Sequence, residues 1–339
     1  MGVTLKIARL ANCNLLLKGR DMKLRLASVI AVTALACYAA APISVQAKTK
    51  PPKTGALNVD CSHNTRGTLA TIGAAITALE QTPASGDTIN VSGACHENVV
   101  IQSLDRLTLN ANPGASITDA SGGTLEVIAV HDSRDVSINN FTINGGSIGI
   151  SCLDGSLCRL TGNTVQNVAT AGIEVLGSQA VVTGGTLQGN GFAGIDVRLG
   201  SGANLVGVTI VNNAAVGINV LGQSSVKTNG TIATNGSGIA VLENGYLFCV
   251  GCQITGNGDI GVVLRRNSSA RFLGSYAVTG NGSGGILLTE SSSAFFANVG
   301  TVTGNPGGMD VFCGSPSSTA KGATSSIGGG TTNCVEPSE

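Results

Sequence analysis

Apolar and polar positions alternate in short bursts along most of this chain, and the bursts recur. A Gly followed by an apolar residue stands at Gly149-Ile150, Gly172-Ile173, Gly194-Ile195, Gly217-Ile218, Gly238-Ile239, Gly261-Val262, Gly285-Ile286 and Gly308-Met309, at intervals of 23, 22, 23, 21, 23, 24 and 23 residues. After each Gly comes a segment such as Ile173-Glu174-Val175 or Ile195-Asp196-Val197, whose period of two puts the branched residues on one face of a strand. A second strand follows a Gly/Ser turn, as in Ala180-Val181-Val182, Ala203-Asn204-Leu205, Ala270-Arg271-Phe272 and Ala294-Phe295-Phe296. A third carries a Leu, Ile or Val three residues before Asn190, Asn213, Asn235, Asn257, Asn281 and Asn305. Three strands in so short a repeat leave no room for a helix, so successive coils stack in parallel about 4.8 Å apart. The pattern predicts an all-β solenoid with one elongated core.

An Asn at the same place in six coils fits a ladder. Identical amides on adjacent coils bond up and down the stack, and Asn tolerates the left-handed backbone of a sharp turn, so the series reads as structure rather than as a ligand set. Phe248, Phe272, Phe295 and Phe296 read the same way, as an internal stack along one strand rather than a sugar-stacking platform. A stacked solenoid leaves raw cross-sections at both ends, and these need caps. At the front, Leu69, Ile72, Ile76 and Leu79 share one helical face, with Thr68 as N-cap, which predicts a short lid helix. At the back, residues 314–339 lose the repeat and become rich in Ser, Gly and Thr, a C-terminal tail or cap.

Composition narrows what such a solenoid does. Of 339 residues 49 are Gly, none is Trp, 11% are charged and the formal net charge is zero. Nucleic acid requires a basic footprint and is excluded as a partner. Lys23 and Arg25 precede an apolar run from Leu26 to Ala41, followed by Pro42 and the small-residue site Val45-Gln46-Ala47, the anatomy of a cleaved secretory signal. The chain then divides into a leader and signal peptide (1–47), a linker (48–57), the repeat domain (58–313) and the tail (314–339), with the true start at Met1 or Met22. The apolar run is too short and too Ala-rich for a membrane span, so the mature chain carries none. Ala34-Leu35-Ala36-Cys37 is a poor lipid-attachment match because of the Ala at its first position. The leader has a bacterial look, and the mature chain is expected in the periplasm or outside the cell as a monomer.

Removing the leader takes away Cys13 and Cys37 and leaves eight cysteines in an oxidising compartment. The simplest local pairing is Cys61 with Cys95, Cys152 with Cys158, Cys249 with Cys252, and Cys313 with Cys334. Metal is the rival reading for Cys249-Val250-Gly251-Cys252, yet a zinc site wants four ligands and the nearest second pair, Cys152 and Cys158, lies more than ninety residues away. Neither a metal nor a cofactor is expected.

Gly86-Asp87-Thr88-Ile89-Asn90-Val91, then Gly93-Ala94-Cys95-His96-Glu97-Asn98-Val99-Val100-Ile101, then Leu107-Thr108-Leu109, resembles the opening of the pectin-lyase-like superfamily. With the repeats, the resemblance covers roughly residues 68–313. It implies a single-stranded right-handed parallel β-helix. It implies little about activity, because that superfamily holds lyases, hydrolases, esterases, epimerases and non-catalytic surface proteins. The chain lacks the Asp-Asp, Gly-His-Gly and Arg-x-Lys of the polygalacturonases and the Gln and Asp motifs of the pectin methylesterases, and its acids are sparse along the coils where the pectate lyases combine clustered calcium-binding acids with an essential Arg. His96, inside the opening motif, reads as a loop residue beside the Cys61–Cys95 staple.

The outward position of the first strand is, coil by coil, Ser151, Glu174, Asp196, Asn219, Ala240, Val263, Leu287 and Asp310. Glu174 and Asp196 on adjacent coils, with Arg198 on the same face, form a compact acid/base constellation whose Cα atoms lie about 4.8 Å apart. That spacing couples two titrations, as general acid/base chemistry on a glycoside requires. Asn219, with Glu243, Arg265, Arg266 and Glu290 from nearby turns, would bind the substrate. The plainer account is a solvated strand face on which Arg198 neutralises the pair. From Ala240 the column turns apolar, which predicts a cover, either the tail folding back or a partner protein. Two functions stay open: an exported non-catalytic β-helix of the cell envelope or surface, binding polysaccharide or an envelope protein along its side face, or a polysaccharide lyase or glycoside hydrolase on an extended acidic or neutral glycan. A structural or adhesive spacer is a third.

Overall fold

The repeats wind into a parallel solenoid. The computed structural model describes residues 56–62, 67–81, 86–297 and 300–336; the leader, with its signal-peptide and lipid-site readings, lies outside them. Sheet I has ten strands, from Val99–Gln102 to Val311–Cys313; sheet II has twelve, from Leu57–Asp60 to Thr319–Lys321; sheet III has ten, from Ala94–His96 to Thr301–Thr303. Each strand pairs in parallel with its equivalent one coil away, so that Ile173, Ile195 and Ile218 stand in register.

Inward Ile, Val and Leu from all three sheets form one continuous core, and Ile173, Ile195, Ile218 and Ile239 are all buried. The repeat glycine has a packing cause. At Gly217 a Cβ would lie 2.6 Å from Ile232 and 2.9 Å from the Asn235 amide nitrogen, so any side chain there would push into the core.

Beside that glycine runs the Asn ladder. Nδ2 of Asn190, Asn213, Asn235, Asn257 and Asn281 donates to Oδ1 of the next Asn at 2.8, 2.8, 3.0, 2.9 and 3.0 Å. Oδ1 of Asn213 also accepts the backbone N–H of Asn190, a pattern repeated up the stack. Losing one buried rung leaves unsatisfied donors and acceptors, at about 1–3 kcal/mol. The ladder ends on a carboxylate, because Asn305 Nδ2 donates to Asp310 Oδ1 at 2.9 Å. Burial pushes the Asp310 carboxyl up, but the bonds from Thr331 and Asn305 outweigh it and hold it below the ordinary range. A second ladder, not read from the sequence, joins sheets I and II: the N–H groups of Ser133, Ser156, Ser178 and Ser201 donate to the hydroxyls of Ser156, Ser178, Ser201 and Ser224.

The front is closed by α1 (Ile72–Glu80), which buries Ile72, Ala75, Ile76 and Leu79. Its N-cap is Thr71 and not Thr68, because Leu69 pairs with Val59 and keeps the chain extended for one more turn. Glu97 also accepts the N–H groups of Ile72 and Gly73 at 2.8 and 3.0 Å, where the helix dipole favours a carboxylate. The four expected disulfides, Cys61–Cys95, Cys152–Cys158, Cys249–Cys252 and Cys313–Cys334, are formed.

At the back, Thr319–Lys321 adds a last strand to sheet II, and Ala320, Ala323, Ile327 and Cys334 join the core. The tail therefore plugs the end of the solenoid. Cys61, Cys95 and Glu97 lie close enough to suggest metal ligands, but two of them form a disulfide and the third caps α1. Among the described residues no helix is long and apolar enough to cross a membrane.

Candidate functional site

On sheet I the outward column runs Ser151, Glu174, Asp196, Asn219, Ala240, Val263, Leu287 and Phe312. Its last member corrects the sequence reading. Residues 304–310 make a longer turn than in preceding coils, so Val311 pairs with Ile286 and Asp310 is drawn away to terminate the Asn ladder.

Glu174 and Asp196 do lie side by side. One Arg198 nitrogen, Nη2, stands 2.7 Å from Glu174 Oε1 and 2.6 Å from Asp196 Oδ2, and Asn219 Nδ2 donates to Asp196 Oδ1 at 2.9 Å. The group is deeply set for an outer face: Glu174 is 7% exposed and Asp196 1%. Burial is the main cause that pushes the Glu174 carboxyl up; Arg198 pulls it back, while the charges of Asp196 and Glu126 add to the rise. Burial likewise raises Asp196 against the bonds from Asn219 and Arg198. Arg198 Nε and Ser151 Oγ are buried without a hydrogen-bond partner among the described residues.

Glu126 was not singled out from the sequence. It ends the loop of residues 119–127, which replaces the shorter segment 145–149 of the next coil. Asp119 organises that loop by accepting from Asn98, Ser121 and Gly123, and these bonds outweigh burial and hold its carboxyl well below the usual range. The excursion in repeat length was the available signal.

The expected substrate-binding residues divide. Asn219 is within the acid group, whereas Glu243, Arg266 and Glu290 form a separate ladder on the turn between sheets I and II. There Arg266 Nη1 is 2.6 Å from Glu243 Oε1, and Nε is 3.6 Å from Glu290 Oε2. All three have left-handed backbone, with φ of 56°, 55° and 54°. Arg265 follows the Arg198 edge of sheet I but lies three coils farther on, about 14 Å away. His96 is exposed, but it ends the sheet III strand Ala94–His96 and pairs with Thr118, so the loop reading is corrected.

Beyond Asn219, the sheet I face becomes apolar and ends in a cleft of about 330 Å³ lined by Ile260, Leu287, Met309 and Phe312. Met309 and Phe312 are 40% and 42% exposed. Among the described residues the expected fold-back of the tail over Val263 and Leu287 does not occur: Ala320, Ala323 and Ile327 of the tail plug the core instead, and no tail residue lines the cleft.

On sheet II the aromatic reading is half corrected. Phe272 and Phe296 face inward and stack at 5.0 Å, with Tyr276 tilted against both and its hydroxyl donating to the Ser326 carbonyl. Phe248 and Phe295 face outward, where Lys227 lies 5.8 Å from the Phe248 centroid and Arg271 5.3 Å from that of Phe295. The cause is register: Phe248 pairs with Arg271 and not with Phe272, and a one-residue shift reverses the face.

Known proteins agree with this architecture. The family model for the right-handed β-helix region matches residues 82–229 and 171–324. No curated protein sequence matches the chain. Among solved structures, the GH136 lacto-N-biosidase from Eubacterium ramulus superposes with a TM-score of 0.52 at 10% identity, covering 83% of this chain and 67% of that one. Pectate lyase Pel9A gives a TM-score of 0.47 at 11% identity, covering 81% of this chain and 80% of that one. At 10% identity the likeness to the lacto-N-biosidase is one of fold.

Proposed function

The chain belongs to the right-handed β-helix family, and from that premise we propose that it is an exported, non-catalytic β-helix that holds an extended polysaccharide along its side face. The observation that carries this reading is the sealed state of the acid pair. A general acid must come within hydrogen-bond reach of the glycosidic oxygen, and Asp196, at 1% exposure, presents no accessible carboxylate. Both carboxylates are instead held on one guanidinium nitrogen. Four disulfides favour an oxidising compartment and hence export. A long, regular flank with few charges suits a polymer better than a small molecule, and the scaffold is one that a lacto-N-biosidase also uses.

A polysaccharide lyase or glycoside hydrolase is the second reading. The raised pKa values of Glu174 and Asp196, with unpartnered Ser151 Oγ and Arg198 Nε nearby, favour it. Retention of polysaccharides on the immobilised protein, scored together with release of reducing or unsaturated ends, separates the two. Retention with no product, unchanged in Glu174→Gln and Asp196→Asn, is expected. Product that disappears in either variant would establish the enzyme.

A further inference from the structure

The outer column of sheet II reads Ser137, Arg159, Val181, Asn204, Lys227, Phe248, Arg271, Phe295 and Lys321. Its second half alternates strictly: cation, ring, cation, ring, cation. The column contains no carboxylate, and neither does the flanking one through Gln179, Gly202, Ser225, Tyr246, Ser269 and Ser293. Lys227 and Arg271 are exposed, each resting against the ring of the next coil, so that their outer N–H groups face solvent. Lys321 closes the row, with Glu336 in electrostatic reach. Arg159, farther back, is paired with Asp135. Beside the row a hollow of about 410 Å³ is lined by Asn204, Lys227, Tyr246 and Phe248.

From this column we infer the class of polysaccharide: an acidic chain in which a charged sugar alternates with an uncharged one, lying along sheet II on Lys227, Phe248, Arg271, Phe295 and Lys321. The inference rests on the polysaccharide-binding reading above and deepens it. Cations recur every two coils, about 9.6 Å, a length comparable to one disaccharide of an extended glycan. One carboxylate per disaccharide therefore meets one cation at each step, and the neutral sugar between them lies over an apolar ring. A glycan charged at every sugar would set alternate carboxylates against phenylalanine, where desolvation without a partner is costly. Duplex DNA, with one charge per about 1.7 Å of axis, is far denser than three cations over four coil steps. Alternation also keeps Lys227, Arg271 and Lys321 from repelling one another across adjacent strands.

The test uses the full chain and four probes at low salt: hyaluronan as the alternating acidic polymer, polygalacturonate as the uniformly acidic one, a neutral glucan, and duplex DNA. Binding is read by affinity electrophoresis and calorimetry, and folding of each variant by its thermal midpoint. The expected result is that hyaluronan binds most tightly, weakens at high salt, and loses at least tenfold in affinity in Lys227→Gln/Arg271→Gln at an unchanged midpoint, while Lys227→Arg retains affinity. Equal or tighter binding of polygalacturonate overturns the alternation. Glycan binding that ignores the double substitution, or that is confined to the neutral glucan, overturns this site and ligand class but leaves the polysaccharide-binding reading standing. Preference for DNA overturns the inference as well. Failure of every glycan overturns both.

Discussion

Sheets I and II are built on the same coil step, and their outer columns teach opposite lessons about charge. Sheet I sets two carboxylates on neighbouring coils. Like charges that close repel unless a counter-charge intervenes, and Arg198 supplies it, holding Glu174 and Asp196 in a group of four side chains with Asn219. Sheet II sets Lys227 and Arg271 two coils apart with a ring between, and both rest on aromatic faces at exposed positions rather than on carboxylates. The first arrangement spends its charges on the fold, while the second leaves them available to a partner. On the binding reading proposed above, the charge that would meet a glycan is therefore on the face with no acid/base constellation.

The largest effect expected from breaking this contrast is on stability. Arg198→Met strands two buried carboxylates and should lower stability by about 2–3 kcal/mol, less than the roughly 3–5 kcal/mol of a fully buried pair because the guanidinium is partly wet. Arg271→Met on sheet II should change it by less than about 1 kcal/mol. Chemical denaturation of both variants checks the difference, and equal losses would remove it.

Next in size is a pH effect. The folded-state pKa values of Glu174 and Asp196 are raised above their unfolded values, so the folded protein holds more protons across that window. Their contribution is greatest below about pH 4 and falls as pH rises through the raised values. Asp310, whose carboxyl is depressed, contributes in the opposite sense: its share is present above the ordinary carboxylate range and is lost as pH falls through the lowered value. Thermal midpoints of Glu174→Gln/Asp196→Asn should thus lack the decline expected of the native protein as pH rises from about 4 through the raised values, whereas Asp310→Asn should soften the loss at lower pH. Parallel profiles for all three would contradict the assignment. The smallest effect belongs to the turn. Arg266→Ala removes two exposed ion pairs and should cost less than about 1 kcal/mol, shrinking further in salt.

The coil, its three strands, the Asn ladder and the cysteine pairs were legible because each recurs or pairs within a short span of chain. What escaped the sequence escaped through register. Phe248 and Phe272 sit one residue out of step, so one faces water and the other the core. Asp310 occupied the repeat position by count, but the lengthened turn before Val311 sent it to end the ladder. Thr68 and Thr71 offer the same capping chemistry, and only the pairing of Leu69 with Val59 selects Thr71. The adjacency of Glu174, Asp196 and Arg198 could be read from spacing; their burial, and the charge of Glu126 that reaches Glu174 from the 119–127 loop, could not, because both depend on the folded surroundings.

The most direct test of the two-face account is a crystal structure of the protein with an oligosaccharide of hyaluronan. The account predicts the sugar chain along sheet II, with successive carboxylates on Lys227, Arg271 and Lys321 and nothing at Glu174 or Asp196. A sugar lodged on sheet I against Glu174, Asp196 or Arg198 would contradict it.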